Sequence, residues 1–460
     1  LMIAFYLARI FGDRSITFYR DIFRLPAAHT LTVSSKKIKL KPYFSFDPSY
    51  EIQLSSDKEY TEAFREVFTE AVQCRIRSAF PIGSTLSGGL DSSSIACTIR
   101  NLLKEKNRCL HTFSAIFPSL PEEDLKKIDE REYINAVISM GGFEPHFIHA
   151  DSLGPLTEIK QLLWHIDDAF VGPNMYMHWA LYNAAQQENI RVFLDGIDGD
   201  TTVSYGFDHM SDLARTLRWK KLFTEAKAFA SIHNSPLWKF IWRFGFRPLV
   251  PEGVMKLIRT VRGRNESEFL SNTAINPVFV KHIKLEERVR SLSSNGSALP
   301  QTAREKHGHS LNCVLHQHAL EMLDKTAAAF SIEARYPFFD RRLIEFCLAL
   351  PPEQKFQHGW TRAVLRKSMA GILPREVQWR TGKANLSPNF YRKLLDFGKE
   401  ALEEVILSKA QIIEKYVDMP AFRESFYRFA RQPLHREQEA LTVYGVVTLA
   451  LWLQDMSLTQ

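Results

Sequence analysis

Residues 87–94 read Ser-Gly-Gly-Leu-Asp-Ser-Ser-Ser. Glycines let a backbone approach a charged ligand closely, and serines add hydroxyl donors. The run follows an apolar segment at 82–86 and opens an amphipathic one with Ile95, Ala96, Ile99 and Leu102. A strand, a tight loop and a helix start of this kind bind phosphate, because the first N–H groups of a helix have no internal partner. Asp91 is the odd member, since a carboxylate repels phosphate. It fits if it holds a Mg²⁺ that bridges a pyrophosphate. The loop lacks the G-x-x-x-x-G-K-[ST] spacing of a Walker sequence. The bland alternative is a Gly-Gly turn with an Asp/Ser helix cap.

A second segment, Leu194-Asp195-Gly196-Ile197-Asp198-Gly199-Asp200, sets three carboxylates around two glycines after the apolar run 192–194. It suits another Mg²⁺ ligand and a nucleotide contact; a plain Asp/Gly turn is the alternative. Lys383 is placed to give positive charge to an α-phosphate if it faces a triphosphate. Glu333, Arg335 and Asp340 read either as site residues or as an ion-pair set anchoring the Pro337-Phe338-Phe339 turn. His307, His309, His316 and His318 show no H-E-x-x-H spacing and read as structural or surface histidines. Asp167 and Asp168 either line an acyl pocket or end a helix.

These residues need elements to hold them. Residues 60–79 carry Phe64, Val67, Phe68, Ala71, Val72 and Ile76 at helical spacing, predicting an amphipathic helix. Beyond it, strands at 82–86, 110–117, 146–149 and 192–194 alternate with helices at 92–103, 130–140, 156–165 and 179–187. This alternation predicts an α/β fold with a doubly wound parallel sheet and a ligand at the carboxyl ends of its strands. After Gly206 strand signals fade, predicting a helical C-terminal extension. Within it the uncharged run 440–453 is shorter than the about 20 residues a bilayer needs, and reads as a buried helix. Residues 291–297 read as a polar loop. Residues 1–50 hold short β-type runs at 22–25, 30–33 and 37–40 around a Pro26-Ala27-Ala28 turn.

The chain has 460 residues, 45% hydrophobic and 24% charged, which excludes a disordered protein. Five scattered cysteines without metal-ligand spacing predict free thiols and a reduced, cytoplasmic setting. The opening run 1–7 lacks a basic leader, against a signal peptide; its leucine start hints at a start further upstream. Net charge is +7, concentrated at residues 211–264, where 12 Lys/Arg face only Asp212, Glu225 and Glu252. The rest is close to neutral, which argues against a nucleic-acid coat. That basic insert also carries Trp219, Trp238, Phe240, Trp242, Phe244 and Phe246. It reads as a surface for a peptide or partner, or as amphipathic helices with a solvated cationic face.

The 87–92 loop resembles the S-G-G-x-D-S loop of the PP-loop ATP pyrophosphatases. The resemblance implies a grip on the pyrophosphate that leaves as ATP becomes AMP, hence an adenylate. The 194–200 segment is similar to the S-G-E-G-x-D-E motif of asparagine synthetases, with Asp200 at the metal-binding aspartate. Ser331-Ile-Glu333-Ala-Arg335-Tyr-Pro337-Phe338-Phe339-Asp340 looks like that family's S-x-E-A-R-x-P-F-L-D. The similarity continues through Leu343, Glu345, Leu350-Pro351, Leu365-Arg366, Leu373-Pro374 and Trp379-Arg380, and Asp324-Lys325 stands where the family has Asp-Arg. The resemblance implies ATP and Mg²⁺ as cofactors. Ser87, Gly88, Gly89, Asp91, Ser92 and Ser93 would meet the pyrophosphate, and Leu86, Ile116 and Gly196 the adenosine. Asp91 and Asp200 would bind the metal, and Lys383, Asp200 and Glu333 would be catalytic. The family's lysine lies in R-x-K-x-x-F; here Arg380-Thr-Gly-Lys383 shifts it by one residue.

Two departures bear on substrate. The family's general-base glutamate is Ile197 here, which cannot take a proton. The family's glutaminase depends on an N-terminal cysteine, and residues 17–47 (Thr17, Ile22, Leu25, Pro26, Tyr43, Phe44, Phe46, Asp47) resemble only that domain's tail. Residues 1–50 therefore read as an incomplete or reduced glutaminase-like remnant, and 51–460 as an ATP-dependent amide-forming domain. The run 331–390 looks most like lasso peptide macrolactam cyclases. That resemblance implies a carbon–nitrogen ligase that adenylates a peptide or amino-acid carboxylate and transfers it to an amine. A precursor peptide and a leader-processing protein are the implied partners, with neither nucleic acid nor membrane. The alternatives are a glutamine-hydrolysing asparagine synthetase making asparagine from aspartate, and an inactive scaffold subunit of a peptide-maturation complex.

Overall fold

The computed structural model describes residues 1–105, 107–251, 253–255, 273–294, 300–396, 402–405 and 410–458. An N-terminal hairpin pairs β1 (His29–Val33) with β2 (Ile38–Pro42). The central sheet contains β3 (Ile82–Thr85), β4 (Leu110–Ile116), β5 (Phe143–His149), β6 (Val192–Leu194) and β7 (Glu333–Arg335). All pairs are parallel, in the order β5-β4-β3-β6-β7. β7 corrects the expectation that strands end after Gly206. Its three residues are too few to show a period of two, so the sequence pattern is silent there.

Alternation along the strands feeds two cores. Phe113 and Phe193 enter one with Tyr182 and the C-terminal helix Glu437–Leu458; Val192 and Leu194 enter the other with Ile82, Ile95, Phe64 and Phe68. Burying each such side chain contributes about 1.5–3 kcal/mol. A sheet apolar on both faces needs helices on both. Helices Asp57–Gln73 and Leu90–Lys104 cover one, and Ile159–Ile166, Met175–Gln187 and Glu437–Leu458 the other.

The helix predicted over 60–79 starts earlier, where the Ser56 hydroxyl accepts the Glu59 N–H, and stops at Cys74. Arg335 explains the stop. Its guanidinium donates to the Arg75 and Arg77 carbonyls at 2.7 and 2.9 Å, taking up acceptors that a continuing helix would need. The polar run 291–297 is helical as far as Ser294, and 295–297 lie outside the described residues.

Residues 1–50 contribute a helix, Met2–Leu7, whose Tyr6 hydroxyl meets Thr448 at 2.5 Å, and the β1–β2 hairpin, which lies open to solvent. The run expected as a strand at 22–25 makes only a bridge between Ile16 and Phe23. The basic insert folds as helices Asp208–Arg215 and Trp219–Ile232 over a small core with Met210, Leu213, Leu222 and Phe240; its residues 252 and 256–264 lie outside the described residues. No helix among the described residues is long and apolar enough to cross a membrane.

The chain winds from β3 outward through β4 to β5, then returns to β6 on the other side of β3. Loops leaving β3 and β6 therefore diverge and open a crevice at their carboxyl ends. Both motif segments sit in it.

Candidate active site

The crevice is a cavity of about 530 Å³. Leu86, Ser87, Gly89, Asp91 and Ser92 line one side, Asp195, Gly196 and Asp200 another, and Arg362, Arg380 and Lys383 close it from the C-terminal half. Gly89 is the N-cap of helix Leu90–Lys104 and no side chain caps its first turn, so the helix presents its free N–H groups at the loop. Ser87 and Ser92 hydroxyls share a bond of 2.9 Å across the loop.

The two loops touch because Gly196 has no side chain. A Cβ there would stand 2.6 Å from the Ser92 nitrogen. One at Gly199 would stand 2.7 Å from the Asp91 Cγ, which shows how closely Asp91 is pressed against the turn carrying Asp200.

Charge in the cavity is paired. Arg362 holds both Asp91 oxygens, at 2.6 and 2.7 Å, and lies over the Tyr205 ring. Burial pushes the Asp91 carboxyl up, and Arg362 opposes it. Lys383 Nζ stands 3.3 Å from Asp200, to which the Tyr205 hydroxyl also donates at 2.8 Å. Burial raises Asp200 too, but Lys383, Tyr205 and Arg362 together hold it below its usual range. Arg380 pairs with Glu130 at 2.5 Å, donates to the Gly88 carbonyl and lies over Tyr133.

Behind Gly196, His178 Nδ1 and Asp195 Oδ2 stand 3.9 Å apart, both buried and without a hydrogen-bond partner. Burial pushes Asp195 up to about 7 and His178 down to about 4. Two converging carboxylates, Asp91 and Asp200, offer the oxygen donors that Mg²⁺ takes, and the cations now balancing them mark a site built for positive charge. The residues fit the metal.

The structure thus brings together Leu86, Ser87, Gly89, Asp91, Ser92, Gly196, Asp200 and Lys383. Gly88 and Ser93 belong to the loop but turn away from the cavity wall; Ser93 is fully buried. Ile116 misses it by one residue, because alternation on β4 presents Ala115 and, just beyond, Phe117. Glu333 is not brought in. It lies exposed at the start of β7, bound to Arg335 at 2.8 Å, so the anchoring reading fits its position and the catalytic expectation does not. Asp167 and Asp168 also lie elsewhere: Asp167 ends a helix with φ 54°, and Asp168 pairs with Arg24 at 2.9 Å. His307 is buried between the Thr201 carbonyl and Lys355, as a structural histidine. Arg362, Glu130, Tyr205 and His178 were not singled out as site residues by the sequence.

Comparison with known proteins agrees with this geometry. Residues 63–454 match the family described as asparagine synthase. Asparagine synthetase [glutamine-hydrolyzing] 1 of Bacillus subtilis is 24% identical over 74% of this chain and 51% of its own length. Amidase chry2 of Gibberella zeae is 22% identical over 95% of this chain and 68% of its own, and amidase chyE of Penicillium rubens 22% over 81% and 60%. The chain spans about half the length of the first of these relatives. With well over half of its length matched, the chain belongs to the asparagine synthase family.

Proposed function

We propose that the chain is an ATP-dependent carbon–nitrogen ligase that adenylates a carboxylate and passes the acyl group to an amine. The observation that carries this reading is the convergence of the uncapped helix start at Gly89 with Asp91, Asp200 and Lys383 in one cavity. The N–H groups of the 87–92 loop, with the Ser87 and Ser92 hydroxyls, would hold the β- and γ-phosphates. Leu86, Ala115 and Phe117 would pack on the adenosine. Asp91 and Asp200 would hold Mg²⁺, which neutralises phosphate charge when bound. Lys383, on a mobile stem and 78% exposed at its side chain, would leave Asp200 and meet the α-phosphate as negative charge develops there.

The carboxylate oxygen attacks the α-phosphorus, the bond to the β-phosphate oxygen breaks, and pyrophosphate leaves. The amine nitrogen then attacks the acyl carbon, AMP departs, and the nitrogen loses a proton. Ile197, which stands where the family has its glutamate, cannot itself take that proton.

That feature favours an amine carried by the acyl substrate itself, already held at high effective concentration, over free ammonia. On this ground we assign an intramolecular amide, a peptide macrolactam, to the reaction. The exposed Trp238 and Trp242, with Lys239 and Arg243 between and beside them, supply a surface for the peptide away from the cavity. The names of several relatives, asparagine synthetases of Bacillus subtilis among them, support a second reading, asparagine formation. Incubation with ATP, Mg²⁺, aspartate and ammonia separates them: no asparagine is expected, and robust formation of it overturns the macrolactam reading.

A further inference from the structure

Toward the amino ends of β4 and β5, further along the strands from the nucleotide cavity, four side chains form a line: Glu144, His111, His146 and Glu188. Register sets it up: His111 pairs with Glu144 and Phe113 with His146, so these residues share one face of the sheet, and Glu188 comes from the end of helix Met175–Gln187. Glu144 Oε2 stands 3.4 Å from His111 Nε2, His111 Nδ1 stands 3.1 Å from His146 Nε2, and His146 Nδ1 stands 3.8 Å from Glu188 Oε1. Phe113 stacks on His146 with centroids 4.6 Å apart. The imidazole planes lie 9° apart with centroids at 5.3 Å, so the rings meet edge to edge through their nitrogens.

This line is one positive charge short. Three links join the four groups, but two neutral imidazoles carry only two N–H protons. Whichever tautomers are chosen, a nitrogen lone pair is left facing a carboxylate oxygen or the other ring's lone pair. One added proton removes the conflict, and so does a metal ion between the two facing nitrogens, which leaves the outer N–H of His146 facing Glu188.

We propose that His111, His146 and Glu144 form a binding site for a divalent first-row transition metal, with Zn²⁺ the best match. One donor atom from each of the three lies within 4.8 Å of the others. The facing nitrogens are already close to the about 3.3 Å that separates two ligands of a tetrahedral ion with bonds of about 2.0–2.1 Å. The rings must each swing by about 35° to aim both lone pairs at a common point, as tetrahedral angles require. Glu188 then accepts from the outer N–H of His146, the usual partner that orients a ligating histidine. Two imidazoles and a carboxylate suit Zn²⁺, Co²⁺ or Ni²⁺ and do not suit Mg²⁺. β5 is an edge strand, held on one side only. The ion would staple it to β4, beneath Phe113, which also lines the nucleotide cavity.

The test uses tag-free, chelator-stripped protein at pH 7.5. Addition of Co²⁺ should give the visible d–d absorption of a tetrahedral ion, saturating at one equivalent and abolished by Zn²⁺. Zn²⁺ should raise Tm, and neither effect should survive in the double variant H111N/H146N. Glu188→Gln should weaken Zn²⁺ binding about 10-fold or more without removing it. A folded wild type that shows no d–d band and no Zn²⁺ shift overturns the proposal. So does a band that persists in the double variant. ATP–pyrophosphate exchange is read in parallel, so failure here leaves the ligase reading standing.

Discussion

Arg362 and Asp91 lie 271 positions apart in the chain, yet one guanidinium nitrogen contacts both carboxylate oxygens at 2.6 and 2.7 Å. The pair locks the C-terminal half of the chain onto the 87–92 loop. Arg362 adopts φ 52° at the start of helix Ala363–Ser368, a strained conformation for a residue with a Cβ, which the pairing helps hold.

Arg362→Ala should therefore strand a buried carboxylate and lower stability by about 3 kcal/mol. Adding Asp91→Asn should restore part of that stability and none of the ATP–pyrophosphate exchange. Denaturant melts of both single variants and the double variant measure the coupling; additive effects on stability would contradict it.

Lys383 and Glu333 should behave oppositely. Lys383→Ala removes a charge aimed at the α-phosphate and should lower kcat about 10²–10³-fold, with the melting curve unchanged because the side chain is exposed. Glu333→Gln should leave the exchange rate within about two-fold, since the Glu333 carboxylate pairs with Arg335 at the far end of the strands. Steady-state kinetics on both variants decides.

The turns at 87–92 and 194–200 and four of the five central strands were legible in the sequence, because each is a local pattern: glycine beside serine or aspartate, or an apolar run of strand length. What was not legible is what the fold assembles over distance. Arg362 gains meaning only once the chain around it, where Phe356–Gln357 pairs with Trp360–Thr361, is folded against the 87–92 loop. β7 is too short to carry a period. Ile116 was one residue off because a family position fixes a neighbourhood, whereas the alternation of the strand decides which side chain faces in. Glu333 was carried over from a motif that here caps a helix end through Arg335.

Asp195 gives a pH dependence of stability. Its carboxyl is raised by burial from 3.8 to about 7. A raised pKa means that the folded state binds the proton more tightly, so this contribution is complete below about pH 4 and is lost as pH rises to 7. Asp195→Asn removes the group that titrates. The variant should match wild type near pH 4 and exceed it by up to about 4 kcal/mol at pH 8. Urea melts across that range test it; parallel curves would contradict it.

Charge reversal at Lys239 and Arg243 separates substrate docking from chemistry. K239E/R243E should weaken binding of a peptide substrate while leaving exchange with ATP intact, because the exposed Trp238–Trp242 surface lies outside the cavity. Equal loss of both, read by fluorescence titration and exchange assay, would remove the insert from recognition.

The most direct measurement is the nucleotide left behind. With α-labelled ATP, Mg²⁺ and a panel of amino-acid and peptide carboxylates, hydroxylamine serving as trap, cleavage between the α- and β-phosphates should yield AMP and pyrophosphate with a matching hydroxamate. Release of ADP and phosphate instead would contradict the account.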